Sequence, residues 1–436
     1  MLTQFKTRLT RKLSTPLAQN TMWALGGYGM RLFIQAAYFI IIARCLGPTQ
    51  YGGFIATTAL TAVLSPFVGL GCGSLLIKNV ARDRRVFPDY WGNALFMTVV
   101  SGLASVALVI GVCTVLLPKG IPLQVIVCVC ISDLIFVKLL DVAAWAFQSF
   151  EMFSQNAQLN VLLSMARLTG IGGLALAVHR PTVAAWTAVY LAGSVVAACV
   201  GVVWVTARLG KPKLALHRIR GESAEGFCFA ASLSSQTIYN DIDKTMVARL
   251  STLEAAGIYA AAYRLIDVAF IPVRALLNAA YPTYFRRGVD GIQATLKYGR
   301  HLLLLTLPYP LFAFAAIMFG ARFVPYVLGR EYAHASEALQ WLAVIPLLKT
   351  LQFFVADALT GAGHQGYRTL VQASVAVFNV LVNFWVIPAY GWRGAAWSSL
   401  ASDGLLTVAL WSVAAGLLMR QSNTGQMVKV LSEDPC

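Results

Sequence analysis

Long apolar segments alternate with short polar connections along the whole chain. Each segment is close to the ~20 residues that an α-helix needs to cross the hydrocarbon core of a bilayer. The pattern therefore predicts an all-α, polytopic membrane protein with about twelve transmembrane helices. We place them at residues 20–43, 53–77, 91–117, 122–147, 156–178, 182–207, 226–248, 255–284, 301–320, 338–360, 369–388 and 394–419.

The composition excludes a water-soluble fold. Hydrophobic residues make up 58% of the 436 residues and charged residues 12%, against about 45–50% and about 25% in soluble domains. Such a chain has too much apolar surface to bury in water. The same figures exclude a disordered, collagen-like or disulfide-scaffold protein.

The two halves of the chain share short motifs. An Ala-Arg pair followed by Gly-x-aromatic-x-Ala at 43–56 recurs at 248–261, and Ala-Ala-Trp at 184–186 recurs at 395–397. The offsets of 205 and 211 residues indicate a duplicated six-helix unit. An even number of helices per copy makes the two copies parallel, an arrangement typical of transporters with a substrate site between the repeats.

The repeat and the polar stretches divide the chain. We expect an N-lobe at 19–208, a cytoplasmic linker at 209–225, a C-lobe at 226–420 and a cytoplasmic tail at 421–436. Residues 1–18 are predicted to be an amphipathic segment on the cytoplasmic membrane surface, because Leu2, Phe5, Leu9 and Leu13 share one helical stripe. A frayed basic tail is the alternative for this segment.

The formal net charge of +16 reflects membrane orientation. Twenty of the 34 Lys and Arg residues lie in connections on the side of the N-terminus, seven lie on the opposite side and seven lie inside apolar segments. The positive-inside rule then places both termini in the cytoplasm. The basic excess contacts anionic lipid headgroups, and no basic globular module for nucleic acid is present.

Seven bases and seven acids lie inside the apolar segments. A charge at the bilayer centre costs about 2.5–3.5 kcal/mol even on the lenient insertion scale, so these residues must pair or face water. We predict a hydrated chamber between the halves. Its cations suit a phosphate-bearing substrate and its carboxylates suit a coupled proton or cation. The predicted substrate-binding cations are Arg31, Lys244, Arg264 and Arg274, and the predicted ion-coupling carboxylates are Asp133, Asp141, Asp241, Asp243 and Asp267.

Helical spacing refines these candidates. Arg264, Asp267 and Arg274 fall on one stripe of their helix, and Lys138 and Asp141 can pair at i, i+3. Internal salt bridges that only fix helix packing are the alternative interpretation. For four further charges near segment ends we favour a structural role, with side chains that snorkel towards the membrane surface. They are Arg167, Lys349, Asp357 and Asp403.

The motifs of soluble enzymes are absent from the sequence. There is no GxxxxGK[ST] stretch, no HExxH and no Cys/His metal spacing. The eight cysteines are expected to be small hydrophobes. We expect neither an enzyme nor a bound cofactor.

Three motifs resemble one known family. Residues 44–52 read R-x-L-G-P-x-x-Y-G, Ile242-Asp243-Lys244 precedes a G-x-Y-x-A stretch at 257–261, and residues 379–396 read N-x3-N-x3-I-P-x-x-G-x-x-G-A-A. This series resembles the polysaccharide biosynthesis proteins. These are lipid-linked oligosaccharide flippases of the multidrug/oligosaccharidyl-lipid/polysaccharide exporter superfamily.

The resemblance implies two six-helix lobes that open alternately to the two sides of the bacterial inner membrane. It implies an undecaprenyl-diphosphate-linked oligosaccharide as substrate, a Na⁺ or H⁺ gradient as energy source, and a polysaccharide polymerase and glycosyltransferases as partners. Arg31 and Arg264 are the closest positional matches to the family's diphosphate-binding cations. It does not distinguish O-antigen from capsule or exopolysaccharide.

Two alternatives remain at this point. A cation-coupled multidrug or small-molecule exporter of the same superfamily would suit the many buried aspartates. A membrane-embedded sugar polymerase or ligase would need a sizeable external loop, and no external connection in our spans exceeds about twenty residues.

Overall fold

The computed structural model describes residues 16–215 except 180, residues 234 and 237, and residues 241–433. This part of the chain is about 90% helical and contains no strand, as the apolar pattern predicts. The predicted surface segment falls almost entirely outside the described residues, as do positions 216–225 of the predicted linker.

The chain forms two compact units, divided between Thr237 and Ile238. The described helices of the first unit are α1 (Pro16–Leu64), α2 (Cys72–Arg82), α3 (Phe87–Leu116), α4 (Leu123–Ile131), α5 (Val137–Ser149), α6 (Phe153–Ala177) and α7 (Val183–Leu209). A π-helical turn at Ser132–Phe136 joins α4 to α5.

The described part of the second unit is also mostly helical. Its helices are α8 (241–250), α9 (Leu253–Gly288), α10 (Ile292–Thr306), α11 (Pro308–Gly320), α12 (Val324–Leu328), α13 (Ala333–Leu342), α14 (Ile345–Gly361), α15 (Gln365–Tyr390) and α16 (Trp392–Glu433).

Six described helices are long and apolar enough to cross a membrane, or eight if each of two bent pairs counts as one span. One bent pair joins Phe33–Phe67 to Cys72–Val80 at 44°, and the other joins Arg330–Leu342 to Ile345–Gly361 at 41°. α1 contains the first predicted segment and the beginning of the second, and it is interrupted at Gly47, where φ is +69°. The total of twelve spans stays a prediction.

Corresponding positions of the predicted repeat have similar surroundings in the two units. Ala43 and Ala56 are buried in the first unit, and Ala248 and Ala261 are buried in the second. The aromatic residues of the motif also behave alike, because each contacts the last described helix of its own unit. Phe54 packs edge-on against a tryptophan of α7, and the Tyr259 hydroxyl lies 2.8 Å from a serine hydroxyl of α16.

Large apolar side chains fill the interior of each unit. In the first unit, Trp91 of α3 and Phe147 of α5 are fully buried in one cluster. In the second unit, Phe270 of α9 and Phe354 of α14 occupy the centre of another. These contacts between helices hold the polar side chains described below in fixed positions.

A short non-helical strap, residues 210–215, lies against the beginning of α3. The Lys213 amide donates to the Pro88 carbonyl at 2.8 Å. The Asn93 side chain bonds both the amide and the carbonyl of Ala215, at 2.9 and 3.0 Å. Gly92 permits this approach, because a Cβ there would lie 2.2 Å from the Lys213 carbonyl oxygen. The first residues of the predicted linker are therefore attached to the first unit.

We predict that Gly92→Ala detaches the strap, since the added methyl overlaps its backbone. Overpacking of this kind costs about 1–3 kcal/mol, and proteolytic cleavage within residues 210–215 should become faster in the purified protein. Gly111→Ala on the same helix is the control, because a Cβ there meets nothing within 4 Å. Equal cleavage rates in the two variants would contradict the close packing.

Candidate functional site: charged side chains within the apolar helices

In the first unit, one polar network surrounds Asp133, which lies in the π-helical turn. Its carboxylate accepts hydrogen bonds from the Tyr190 hydroxyl at 2.7 Å, from Ser132 at 3.3 Å and from Thr61 at 3.5 Å. The fourth donor is Nη2 of Arg167, at 3.4 Å. Donors from α1, α6 and α7 and from the turn itself thus converge on a single carboxylate.

Arg167 also contacts an aromatic ring. Its guanidinium lies 4.2 Å from the centroid of the Tyr190 ring, a cation–π distance. The Nε–H is buried and has no hydrogen-bond partner among the described residues. An orphaned buried donor of this kind costs about 1–3 kcal/mol or more. The rest of the side chain is 22% exposed, so an outside group can reach part of it.

Lys138 and Asp141 form the i, i+3 pair that their spacing predicts. The Lys138 Nζ lies 3.0 Å from the Asp141 carboxylate on α5. Both side chains are partly exposed. The pair neutralises two of the charges in the apolar part of the first unit.

The second unit places three charged residues together on α8. Lys244 Nζ pairs with the Asp241 carboxylate at 2.5 Å and lies 4.9 Å from the centroid of the Tyr263 ring. Asp243 is buried. Its carboxylate accepts hydrogen bonds from the Tyr259 hydroxyl, from the Ser399 hydroxyl at 3.4 Å and from the Lys244 amide at 2.7 Å.

Asp267 of α9 faces Lys349 of α14. The Lys349 Nζ lies 3.9 Å from the carboxylate and 5.0 Å from the centroid of the Tyr263 ring. The lysine is 6% exposed and the aspartate 35%. The buried lysine thus has both a carboxylate and an aromatic face to offset the cost of its burial.

Snorkelling was expected for Arg167, Lys349, Asp357 and Asp403, and the structure shows that this expectation was wrong. Lys349, Asp357 and Asp403 are buried, and Arg167 lies within α6 in the network around Asp133. All four bond across helices. Asp357 accepts from Arg368 at 3.1 Å, and Asp403 accepts from Gln352 Nε2 at 3.1 Å.

A polar ladder between α15 and α16 completes the second unit. The Asn379 side chain donates to Ser402 at 2.9 Å, and Asn383 donates to Asn379 at 2.9 Å. Ser398 donates to the Asn383 side-chain oxygen. The spacing of the two asparagines places them on one face of a helix, but their serine partners were not predicted as a polar cluster.

Arg264 and Arg274 differ from the paired charges. Neither makes an ion pair with any of the residues described. Arg264 is half-buried, whereas Arg274 is exposed and lies 5.6 Å from the ring centroid of Phe270. Ten residues of helix separate them by about 15 Å along α9. Arg31 lies on α1, but its side chain is outside the described part.

The electrostatic result is an uneven division of charge. Each carboxylate proposed for ion coupling makes an ion pair or accepts hydrogen bonds from hydroxyl and amide groups of its own unit. Two of the four proposed cations, Arg264 and Arg274, have no ion-pair partner among the residues described. No group of three or more His, Cys, Asp or Glu residues suited to a metal ion occurs in the described residues. The arrangement is suited to an anionic ligand.

Solved structures with this fold are membrane transporters. An inward-facing multidrug resistance MATE family transporter of the MOP superfamily aligns with a TM-score of 0.73 at 14% identity, over 91% of this chain and 96% of its own. The lipid II flippase MurJ, in an inward closed conformation, aligns with a TM-score of 0.72 at 11% identity, over 96% and 93%. A MOP superfamily transporter from Pyrococcus furiosus, described as having a binding pocket of reverse polarity, gives 0.62 at 14% identity, over 91% and 94%.

These similarities establish the fold. With its apolar helices, it makes the chain a multi-pass membrane protein. No curated protein sequence matches the chain. Residues 17–287, well over half of the chain, match the family described as "Polysaccharide biosynthesis protein". The chain therefore belongs to the polysaccharide biosynthesis protein family.

Proposed function

We propose that this protein is a flippase that moves undecaprenyl-diphosphate-linked oligosaccharide across the bacterial inner membrane for surface polysaccharide synthesis. Membership of the polysaccharide biosynthesis family supports the oligosaccharide part of the substrate. The fold shared with a lipid II flippase supports a lipid-linked substrate. The observation that carries the proposal is that Arg264 and Arg274, both on α9, make no ion pair with the described residues.

The proposed mechanism assigns the cations to the diphosphate. Arg264 and Arg274, with Arg31 and Lys244, hold the phosphate oxygens while the polyprenyl tail stays in the hydrocarbon. Arginine suits this role because its planar fork binds two oxygens at once and keeps its charge. The protein then opens alternately to the two sides of the membrane, and release follows on the periplasmic side.

Ion coupling is assigned to the carboxylates. Asp243 is the first candidate. Its carboxylate is buried, and its hydrogen bonds come from hydroxyl and amide groups, so no ion pair has to break before a Na⁺ or H⁺ binds. Asp133, Asp141, Asp241 and Asp267 are the further candidates, each in an ion pair that a proton or cation can loosen. The energy source in this proposal is the gradient of that ion.

The cellular setting is part of the same proposal. The bias of Lys and Arg towards one side supports cytoplasmic termini. Polysaccharide polymerase and glycosyltransferases are the proposed protein partners, since they would consume and supply a lipid-linked oligosaccharide.

A cation-coupled multidrug exporter is the second candidate. The specific observation in its favour is the TM-score of 0.73 with a multidrug resistance transporter. A cationic drug would meet like-charge repulsion from arginines that have no ion-pair partner, and the sequence motifs fit this class less well. We therefore rank it second.

We predict that Arg264→Ala and Arg274→Ala each lower polysaccharide export about tenfold or more, the expected effect of losing a charged hydrogen bond to the diphosphate. The measurement is complementation of a flippase-deficient strain, read as surface polysaccharide. Membrane levels of each variant are measured in parallel, so that loss of protein is not mistaken for loss of transport.

Arg322→Ala is the control for these variants. Arg322 is an exposed arginine outside the candidate set, and it lies 5.2 Å from the centroid of its neighbour's ring. It should support normal export. Normal export by both α9 variants would contradict the assigned roles.

We predict that Asp243→Asn removes the response of transport to an ion gradient. The amide can still accept from Tyr259 and Ser399 but carries no charge, so the helices should stay packed while a cation or proton no longer binds. The measurement is the rate of lipid-linked oligosaccharide movement in vesicles with and without an imposed Na⁺ or H⁺ gradient.

Asp290→Asn is the matched control, because Asp290 is exposed in the turn between α9 and α10. Its rate should rise with the gradient as the unsubstituted protein's does. An unchanged gradient response in Asp243→Asn would remove Asp243 from the mechanism and move the assignment to another carboxylate.

A further inference from the structure

We infer that Arg167 of the first unit is an additional oxyanion-binding residue, whose ligand is the phosphate group of a lipid headgroup. The inference deepens the proposed function and rests on it for the identity of that lipid. Its basis is the imbalance of hydrogen bonds around the Asp133–Arg167 pair, together with the stacking of the guanidinium on Tyr190.

The closest hydrogen-bond donor to the Asp133 carboxylate is not the arginine. The Tyr190 hydroxyl donates to Asp133, whereas the Ser132 and Thr61 hydroxyls, which also lie within reach of it, have closer acceptors in Ser194 and the Thr58 carbonyl. The bond from Tyr190 is 2.7 Å, against 3.4 Å for the arginine. Asp133 therefore keeps the hydrogen bond from Tyr190 when Arg167 binds something else.

The arginine, by contrast, has hydrogen-bond donors that are not satisfied within the described part of the chain. Of its five N–H donors, one makes a long hydrogen bond to Asp133 and Nε–H has no partner in the described part of the chain. Arg368, on α15, shows what a purely structural arginine does. Its Nη1 donates to Asp357 at 3.1 Å and to Thr360 at 2.9 Å, both well-formed bonds.

Stacking prepares the guanidinium for an oxyanion. The guanidinium lies over the Tyr190 ring, 4.2 Å from its centroid, and this contact uses none of the N–H donors. Those donors form the fork that matches two oxygens of a phosphate. The side chain is 22% exposed, so an oxyanion can approach it and draw it from Asp133.

The site therefore works by exchange. When no ligand is bound, Asp133 is a weak partner that offsets the charge of the guanidinium inside the apolar helices. When a phosphate binds, Arg167 donates to the oxyanion, and Asp133 keeps the hydrogen bond from the Tyr190 hydroxyl. The π-helical turn, a feature that often marks functional sites, places Asp133 to play this part.

The test uses the full chain in detergent with inorganic pyrophosphate as probe and isothermal titration calorimetry as measurement. All variants carry Arg264→Ala and Arg274→Ala, so that binding at α9 does not contribute. Arg167→Gln should lose at least tenfold in affinity, and Arg167→Lys should lose severalfold because an ammonium lacks the fork. Arg368→Gln, the matched control, should bind as the parent does.

Asp133→Asn separates a binding role from a structural one. Removing the competing carboxylate charge should tighten pyrophosphate binding severalfold, whereas a purely structural pair predicts no tightening. If Arg167→Gln does not fold, Arg167→Lys and Asp133→Asn still decide the question. Unchanged affinity in both of these variants would overturn the inference.

Two sources of the phosphate are distinguished in nanodiscs of phosphatidylcholine. Undecaprenyl diphosphate should displace pyrophosphate from the α9 double variant, and phosphatidylglycerol should not. Displacement by phosphatidylglycerol alone would overturn the assignment to the transported lipid. Failed complementation with intact, Arg167-dependent pyrophosphate binding would overturn the proposed function and leave this site in place.

Discussion

The cost of a charge in hydrocarbon determines where the polar side chains of this protein lie. An ionised group within a membrane-spanning helix must meet an opposite charge, a set of dipoles or water. Asp141 and Asp241 meet this requirement with a lysine on their own helix, and other described aspartates do so through side chains of neighbouring helices. Asp133 gathers donors from three helices, and Asp243 is held by Tyr259 and Ser399. These bonds fix helix positions that apolar packing alone would specify less sharply.

The same requirement explains why charged groups without a partner indicate the class of ligand. Among the described residues, Arg264 and Arg274 have no ion-pair partner, and the buried Nε–H of Arg167 has no hydrogen-bond partner. A cation in this setting is tolerated only when water or a ligand reaches it. Oxyanions bind such groups well, and a lipid diphosphate also has the apolar tail that remains in the bilayer. The distribution of pairing, more than the number of charges, thus connects the fold to a substrate class.

Local spacing was enough to predict part of this arrangement. The apolar segments gave the helices, and i, i+3 spacing gave the Lys138–Asp141 pair. Partners distant in sequence could not be predicted, because they depend on which helices pack together. Asp133 and Arg167 are 34 residues apart, and Asp243 and Ser399 are 156 apart. Arg167 was placed near a segment end, where snorkelling is inexpensive, and the stacking on Tyr190 that keeps it inside has no local signal.

The most direct measurement is movement of the lipid itself. Purified protein is reconstituted into vesicles that contain undecaprenyl-diphosphate-linked oligosaccharide, and an impermeant glycosidase is added outside. If the protein is a flippase, substrate from the inner leaflet becomes accessible and cleavage proceeds beyond the outer-leaflet share. Cleavage that stops at the level of protein-free vesicles, with correctly folded protein present, would contradict the account.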